Sequence, residues 1–269
     1  MDAFAIGKVN VFVSILPQKY FVEQVGKDLV SVEVMVGPGQ NPATYEPTPH
    51  QMADISNAQI YFGIGVPFEL AWLPTIRKNN KQLHIVDCCE NLIGPSISDH
   101  NHHATEINDP HIWTSPKIVI RIVEQIAEQL ILIDENNAEI YHHSANQFIE
   151  KLISLDREIK RKTKNLKKKD LIVSHPAWSY FSREYGLFQI PIEQHGKEIQ
   201  ASSMTRLIKI AKDKKIRAVY VQPQFNNKAA EIIARELGAK IISLDPLAFN
   251  YIENMNYVTD RIVEGLSYE

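Results

Sequence analysis

The chain has 269 residues, of which 44% are hydrophobic and 23% are charged. This composition is that of a globular protein and excludes a disordered tail, a coiled coil and a collagen-like chain. With 29 Lys and Arg against 32 Asp and Glu, the formal net charge is −3. That balance gives no electrostatic reason to expect nucleic acid or an anionic membrane as a partner. The length is sufficient for one large domain or two smaller ones.

The first part of the chain alternates predicted strands and helices. Runs of β-branched and aromatic residues bounded by Gly and Pro predict strands at 9–15, 30–36, 59–62 and 83–86. Helices are predicted between them at 18–27, 50–57 and 68–78. Because the strands are separated by helices, we expect them to pair in parallel as βαβ units.

Two helices are predicted in the middle of the chain, after a polar loop at 96–110. Apolar residues at helical spacing predict the first over 117–133 and the second from 138 to about 166. The second helix would be about 42 Å long at ~1.5 Å per residue, comparable to the diameter of a whole domain. We therefore interpret it as a spine between two lobes.

The end of the predicted spine helix is strongly basic. Residues 157–169 include eight Lys and Arg and one acidic residue. In a nucleic-acid site we would expect aromatic residues among the basic ones, and this run has none. We interpret it as a solvated helix C-terminus, where cations interact favourably with the helix dipole.

The last part of the chain alternates again, with strands predicted at 171–173, 187–192, 219–221 and 241–244. Helices are predicted at 177–185, 204–214, 228–237 and 255–266. The predicted fold class is α/β, with two lobes that each hold a mainly parallel sheet flanked by helices, joined by the spine helix. The predicted domains are an N-terminal lobe (1–116), a helical region (117–168) and a C-terminal lobe (169–269).

Three polar side chains follow rigid elements in a way that suggests a metal site. His111 lies at a loop-to-helix junction, His175 follows the strand at 171–173, and Asp245 ends the strand at 241–244. Ligands of α/β sheets bind beyond the carboxyl ends of the strands. Two imidazoles and a carboxylate suit Zn²⁺, although polar residues at strand ends are also common where no metal binds.

The other His and Cys residues give weaker signals. His100, His102 and His103 share the polar loop, and they either form a weak metal-capture site or are simply solvated. Cys88 and Cys89 are adjacent, and the sequence holds no CxxC zinc motif. Both thiols are interpreted as packing residues near the end of a strand.

Several motifs in order resemble a known family. They are Val13-Ser-Ile-Leu-Pro-Gln-Lys-Tyr-Phe, Asn41-Pro-Ala-Thr-Tyr-Glu-Pro-Thr-Pro, Asp109-Pro-His-Ile-Trp-Thr-Ser-Pro, Val173-Ser-His-Pro-Ala-Trp-Ser-Tyr-Phe, Gly196-Lys-Glu, Val221-Gln-Pro-Gln-Phe and Leu244-Asp-Pro-Leu. Over almost its whole length the chain resembles the metal-binding solute-binding proteins of bacterial ABC importers, the ZnuA/TroA-like group. The resemblance implies a metal in the cleft between two lobes and delivery to a membrane permease.

Carried over to this sequence, the resemblance implies that His111, His175 and Asp245 are metal ligands. The third His of the family corresponds to Ala43, which has no ligand atom. A water or anion could replace it, or a side chain among Glu46, His50, His195 and Glu198, with His195 preferred over His50. The third alternative is that tight binding of a bare ion is lost, and that a metal chelate or another small ligand binds instead.

The resemblance also bears on the cargo, the partners and the location. In the family, a His at the position of His175 goes with zinc and a carboxylate with manganese, and the softness of two imidazoles also favours Zn²⁺ over Mn²⁺. We expect a monomer that meets an ABC permease in the periplasm or as an anchored protein outside the cell. We expect it to associate with the membrane only through that permease or through a lipid anchor that is absent from this sequence. The start of the chain shows no intact secretory signal.

Catalysis is not predicted, because the sequence has no Walker-type, GxGxxG, GxSxG or HExxH motif. The alternative from another class is a zinc-dependent hydrolase. A metal held by two His and one Asp keeps a position for water, as in hydrolytic zinc sites. Such an enzyme would need a general base beside the metal, and no motif places one.

Overall fold

The computed structural model describes residues 7–89, 109–193 and 199–268. Contacts between Cα atoms divide the chain into two compact units. The first unit comprises Met1–Ile112, Lys117–Ile153 and Leu247–Tyr251, and the second comprises Trp113–Pro116, Ser154–Pro246 and Ile252–Glu269. Each unit has its own parallel sheet.

In the first unit, the strands are β1 (Val9–Ile15), β2 (Val30–Val36), β3 (Ile60–Gly63) and β4 (His84–Asp87), and the helices between them are α1 (Leu16–Gly26), α2 (Pro49–Asp54) and α3 (Pro67–Asn79). The strand order is β2-β1-β3-β4, and every neighbouring pair is parallel. All four residues of β3 are buried. A parallel sheet covered on both faces requires such unbroken apolar strands.

Two consecutive helices follow, α4 (Pro116–Ile133) and α5 (Ala138–Thr163). The buried positions of α4 recur at helical spacing: Val119, Ile122, Val123, Ile126 and Leu130. Helix α5 has 26 residues, about 39 Å at ~1.5 Å per residue. The predicted long helix is confirmed, and the division between the two units falls within it, between Ile153 and Ser154.

In the second unit, the strands are β5 (Asp170–Val173), β6 (Phe188–Pro191), β7 (Ala218–Val221) and β8 (Lys240–Ser243), and the helices are α6 (Ser179–Glu184), α7 (Ala201–Asp213), α8 (Lys228–Leu237) and α9 (Tyr251–Ser267). The strand order is β6-β5-β7-β8, again all parallel. Ile172 and Val219 of the sheet pack in one buried cluster with Leu207 of α7 and Ile233 of α8. Burial of this apolar area supplies the main stabilising term of the unit.

Both sheets have the same topology, in which the second strand along the chain lies outside the first and the third lies on its other side. The strand order therefore reverses between β1 and β3, and between β5 and β7. Crevices for ligands form at such reversals, beyond the carboxyl ends of the strands. The predicted fold class, α/β with two parallel sheets and one long helix, is confirmed. In the described part of the chain, no helix combines the length and hydropathy needed to cross a bilayer.

Candidate metal centre

His111 is held by a carboxylate two residues before it. Asp109 Oδ1 accepts a hydrogen bond from the His111 backbone N–H at 3.0 Å and lies 2.6 Å from Nδ1 of the ring. Both side chains are largely buried, with 14% and 12% of their surface exposed. Because Nδ1 is engaged by the carboxylate, Nε2 is the ring nitrogen that could bind a metal.

His175 is held in the same way in the second unit. Glu193, which follows β6, places Oε2 at 2.8 Å from Nδ1 of His175, which follows β5. The imidazole also stacks on the ring of Phe225, with 4.2 Å between ring centroids and 17° between ring planes. Phe225 follows β7, so this stacked pair lies where the strand order reverses between β5 and β7.

A carboxylate on Nδ1 of each imidazole has a chemical consequence. It selects the tautomer with the proton on Nδ1, which leaves the lone pair of Nε2 as the acceptor. It also fixes the orientation of the ring, an arrangement found around histidines that bind metals. Each imidazole is thus oriented by a carboxylate of its own unit.

Asp245 follows β8, as the sequence predicts, and its carboxylate is bound by an amide from the neighbouring strand end. Gln224 Nε2 donates to Asp245 Oδ1 at 2.8 Å, and Asn254 Nδ2 donates to the Asp245 backbone carbonyl at 2.7 Å. The bond from Gln224 orients the carboxylate, and the bond from Asn254 holds the Asp245 backbone. The second unit thus places an imidazole after β5 and a carboxylate after β8, two donor types that Zn²⁺ accepts.

The loop between β7 and α8 contains buried side-chain oxygens that no described residue satisfies. They are Gln222 Oε1, Gln224 Oε1 and Asn227 Oδ1. Buried acceptors of this kind are normally bonded to protein or to ordered water.

Ala43 lies in a tight turn of the first unit. Asn41 Oδ1 accepts a hydrogen bond from the Ala43 backbone N–H at 2.8 Å, and the Ala43 side chain is exposed. Beside the turn is a polar pocket of about 260 Å³, lined by Gln40, Asn41, Thr44, Tyr45 and Glu46. Glu46, one of the two candidate substitute ligands in the first unit, lines this pocket next to Ala43.

His50 does not line this pocket. Its side chain is 87% exposed, and Nδ1 lies 2.6 Å from Asp54 Oδ2 one turn along α2. This pair is a surface contact, in keeping with the interpretation of His50 as a surface residue. The remaining candidates, His195, Glu198, His100, His102 and His103, lie outside the described residues.

The three predicted ligands belong to different units, His111 to the first and His175 and Asp245 to the second. Among the described residues, no three His, Cys, Asp or Glu side chains form a group that could hold a metal ion. The convergence of His111, His175 and Asp245 on one ion therefore stays a prediction.

Sequence reasoning did not single out the two carboxylates on the imidazoles. Asp109 had a local signal, because it stands two residues before His111. Glu193 had none, since 18 residues separate it from His175 and only the pairing of β5 with β6 brings the two together.

A buried carboxylate organises the carboxyl ends of β1 and β3 in the first unit. Glu69 accepts hydrogen bonds from the backbone N–H groups of Ile64 at 2.9 Å and Gly65 at 3.0 Å, and from Ser14 Oγ at 2.5 Å. The hydroxyl groups of Tyr61 and Ser14 are 2.7 Å apart. Burial raises the pKa of Glu69 above its ordinary value, against the effect of its hydrogen bonds.

The turn held by Glu69 packs close to the segment that precedes His111. Gly65 has φ +77°, and a Cβ atom built on it would lie 3.2 Å from Cys89 Sγ and 4.0 Å from Pro110 Cβ. The Cys89 thiol donates to the Ile64 carbonyl at 3.0 Å, and Cys88 is buried. The two thiols are therefore packing residues after β4, as predicted. Cys89 packs beside Gly65, which also lies near Pro110, the residue before His111.

Two α/β units that each have a parallel sheet, share a long helix and hold an oriented imidazole are typical of solute-binding proteins that carry metal ions. Residues 11–265 match the family described as "Zinc-uptake complex component A periplasmic". The chain belongs to this ZnuA family.

Individual relatives agree with that assignment. The chain is 30% identical over 281 residues to the high-affinity zinc uptake system protein ZnuA of Bacillus subtilis (strain 168), covering 96% of this chain and 88% of the relative. It is 28% identical over 256 residues to the zinc-binding lipoprotein AdcA of Streptococcus pneumoniae (strain ATCC BAA-255 / R6), with 90% of this chain and 51% of the relative covered. The chain thus spans about half the length of AdcA.

A solved structure of similar fold is a ZnuA deletion mutant, lacking residues 138–173 of its own numbering, with zinc bound. The TM-score is 0.91 at 37% sequence identity, and the match covers 97% of this chain and 99% of that one. This similarity supports the family assignment at the level of the whole fold.

Proposed function

We propose that this protein is the extracytoplasmic zinc-binding component of an ABC importer, which captures Zn²⁺ and delivers it to a membrane permease. His111, His175 and Asp245 would be the ligands. The observation that carries the proposal is the carboxylate on Nδ1 of both imidazoles, Asp109 on His111 and Glu193 on His175. Its relatives' names, a zinc uptake protein and a zinc-binding lipoprotein, support zinc as the cargo.

The chemistry of the donors supports zinc over manganese. Neutral imidazole is a good ligand for Zn²⁺, whereas Mn²⁺ prefers oxygen ligands. Three protein ligands leave one position of a tetrahedral ion, and Ala43 offers no atom for it. Water, an anion, or one of Glu46, His195 and Glu198 would complete the coordination.

The test is calorimetric titration of the chelator-stripped protein with zinc. His111→Ala and His175→Ala should each weaken binding by more than about 100-fold, beyond the loss typical of an outer-shell partner. His142→Ala is the matched control, because His142 is exposed on α5 and should bind zinc like the wild type. Unchanged affinity in both ligand variants would refute the site.

A metal chelate is a second candidate for the cargo, and the surroundings of Ala43 favour it. The side chain is small and exposed, and the adjacent polar pocket of about 260 Å³ leaves room for an organic ligand. Native mass spectrometry of the purified protein distinguishes the two by mass. A bare ion adds the mass of zinc, whereas a chelate adds that of the whole complex.

A further inference from the structure

The amino ends of the strands in the second unit carry a concentration of cations, which we name the basic edge. It consists of Lys164, Lys167, Lys168, Lys169, Lys212, Lys214, Lys215, Arg217 and Lys240. Eight of the nine are exposed, and Lys168 is half-buried. Only the first four belong to the basic run that ends the long helix; the other five come from distant parts of the chain.

The sheet brings these segments together. Lys169 precedes β5, Arg217 precedes β7, and Lys240 begins β8, three strands that are neighbours in that order. The Lys240 backbone N–H donates to the Arg217 carbonyl at 2.9 Å. Lys214 Nζ reaches across to Asp170 Oδ1, the first residue of β5, at 2.5 Å. The basic edge is therefore one continuous feature of the sheet.

Charge in this chain is strongly segregated. Segments 164–170 and 212–217 together with Lys240 hold nine Lys and Arg and two Asp, a net charge of +7. The rest of the chain then holds 20 of the 29 basic and 30 of the 32 acidic residues, a net charge of −10. The formal net charge of −3 conceals this asymmetry, and the lack of an anionic partner cannot be inferred from it.

Few of these cations are neutralised within the protein. Among the described residues, the acidic groups near the edge include Asp170, paired with Lys214, and the exposed Asp213 and Glu236. Glu264 of α9 is near Lys240, and its pKa is lowered mainly by its hydrogen bond from Tyr268, with Arg261 and Lys240 contributing. Within the described ranges, no ion pair is formed by Lys164, Lys167, Lys169, Lys212, Lys215 or Arg217. An excess of unpaired positive charge at one edge attracts a polyanionic partner.

The surroundings favour an extended anionic surface over a discrete phosphate site. Helices α7 and α8 end at this edge, and their negative C-terminal dipoles oppose the close binding of a single anion. Flexible lysines dominate this edge. Its aromatic neighbours are Tyr268, whose ring centroid lies 4.0 Å from Lys240 Nζ, and the exposed Phe188. Segments 164–170 and 212–217 hold no aromatic residue, so no row of rings follows the lysines for successive bases to stack on. Anionic phospholipid recognises such a surface of many flexible lysines.

We propose that the basic edge binds an anionic phospholipid membrane. The choice of a membrane rests on the proposed function, which places the protein beside a membrane permease. Lys169 and His175 stand at opposite ends of β5, six residues or roughly 20 Å apart. Lipid contact at the amino ends of the strands thus leaves their carboxyl ends, where His175 and Asp245 lie, accessible to zinc.

The test is co-sedimentation with vesicles of phosphatidylcholine alone or mixed equally with phosphatidylglycerol. The wild type should bind only the mixed vesicles, and rising salt should release it. The triple variant Lys167→Glu, Lys169→Glu, Lys215→Glu should bind at least about 100-fold more weakly, at about five-fold for each charge. The matched control is Lys8→Glu, Lys78→Glu, Lys81→Glu, three exposed lysines of the first unit, which should bind like the wild type.

Zinc titration separates this proposal from the proposed function. The triple variant should keep wild-type zinc affinity, whereas His111→Ala should keep vesicle binding. If charge reversal prevents folding, the corresponding Lys→Gln variant takes its place. The proposal is overturned if the wild type does not bind the mixed vesicles, or if the basic-edge variant and the control variant lose binding equally. It is also overturned if the protein binds single-stranded or duplex DNA more tightly than the mixed vesicles.

Discussion

The imidazole of His175 lies against the ring of Phe225, with 4.2 Å between their centroids and 17° between their planes. One residue follows β5 and the other follows β7, so the contact spans the point where the strand order reverses. With Glu193 on Nδ1, the ring is constrained both at its edge and across its face. A side chain held in this way would lose little conformational entropy on binding a metal, as the proposed function requires of His175.

Removing the stacking partner should weaken zinc binding. We expect Phe225→Ala to lower the affinity about ten-fold, because His175 would gain rotamer freedom while keeping Glu193. The measurement is zinc titration, with the unfolding temperature recorded in parallel. Phe188→Ala removes an aromatic ring of the same unit that is 63% exposed, and it should leave zinc affinity unchanged. An equal loss in both variants would contradict a specific role for the stack.

The two carboxylates on the imidazoles should each contribute to zinc affinity. Asp109→Asn and Glu193→Gln remove the negative charge but keep the size of the side chain, and each should weaken binding by about 10–100-fold. Glu231→Gln, at an exposed position on α8, is the control. If either variant binds zinc as tightly as that control, its carboxylate does not support the ligand.

Gly65 should tolerate a side chain less well than Gly39. Both have positive φ, +77° and +74°, but a Cβ on Gly65 would meet Cys89 Sγ at 3.2 Å, whereas Gly39 has open space. Gly39→Ala should cost about 1 kcal/mol of the free energy of unfolding through backbone strain. Gly65→Ala should cost more, about 2–3 kcal/mol, since strain and crowding add. Urea unfolding of both variants compares them, and equal losses would refute the role of the Cys89 contact.

Glu69 should make stability depend on pH. Its pKa is raised from the ordinary value of 4.5, mainly by burial, so above that value the native state binds a proton that the unfolded state has lost. Its contribution to the free energy of unfolding is therefore fully present below pH 4.5 and falls as the pH rises through the raised pKa. The Glu69→Gln side chain does not titrate. The free energy of unfolding of this variant should therefore fall less than that of the wild type as the pH rises above 4.5.

Urea unfolding between about pH 4 and pH 8 measures this difference in slope. The exposed Glu231→Gln serves as a control that should follow the wild type. Parallel pH profiles for Glu69→Gln and the wild type would show that the Glu69 carboxyl does not retain its proton in the native state.

Local patterns predicted the elements of the fold because their signals lie within a few residues. The strands and long helices appear where β-branched runs and helical spacing indicate them, with ends displaced by up to about four residues. Helix α6 (Ser179–Glu184) is shorter than the predicted 177–185, because the backbone N–H of Ala177 bonds the His175 carbonyl in a turn first. Such turn chemistry competes with helix formation.

The sequence alone determined the α/β class, the long helix and the placement of His111, His175 and Asp245 at the ends of elements, because each depends on short-range periodicity or on neighbouring residues. Only the tertiary structure decided that Glu193 meets His175, that Glu69 holds the turn at Gly65, and that Lys169, Arg217 and Lys240 share one edge. These contacts depend on strand order, which arises from the packing of whole βαβ units. Residues far apart in the chain become neighbours only when that packing is complete.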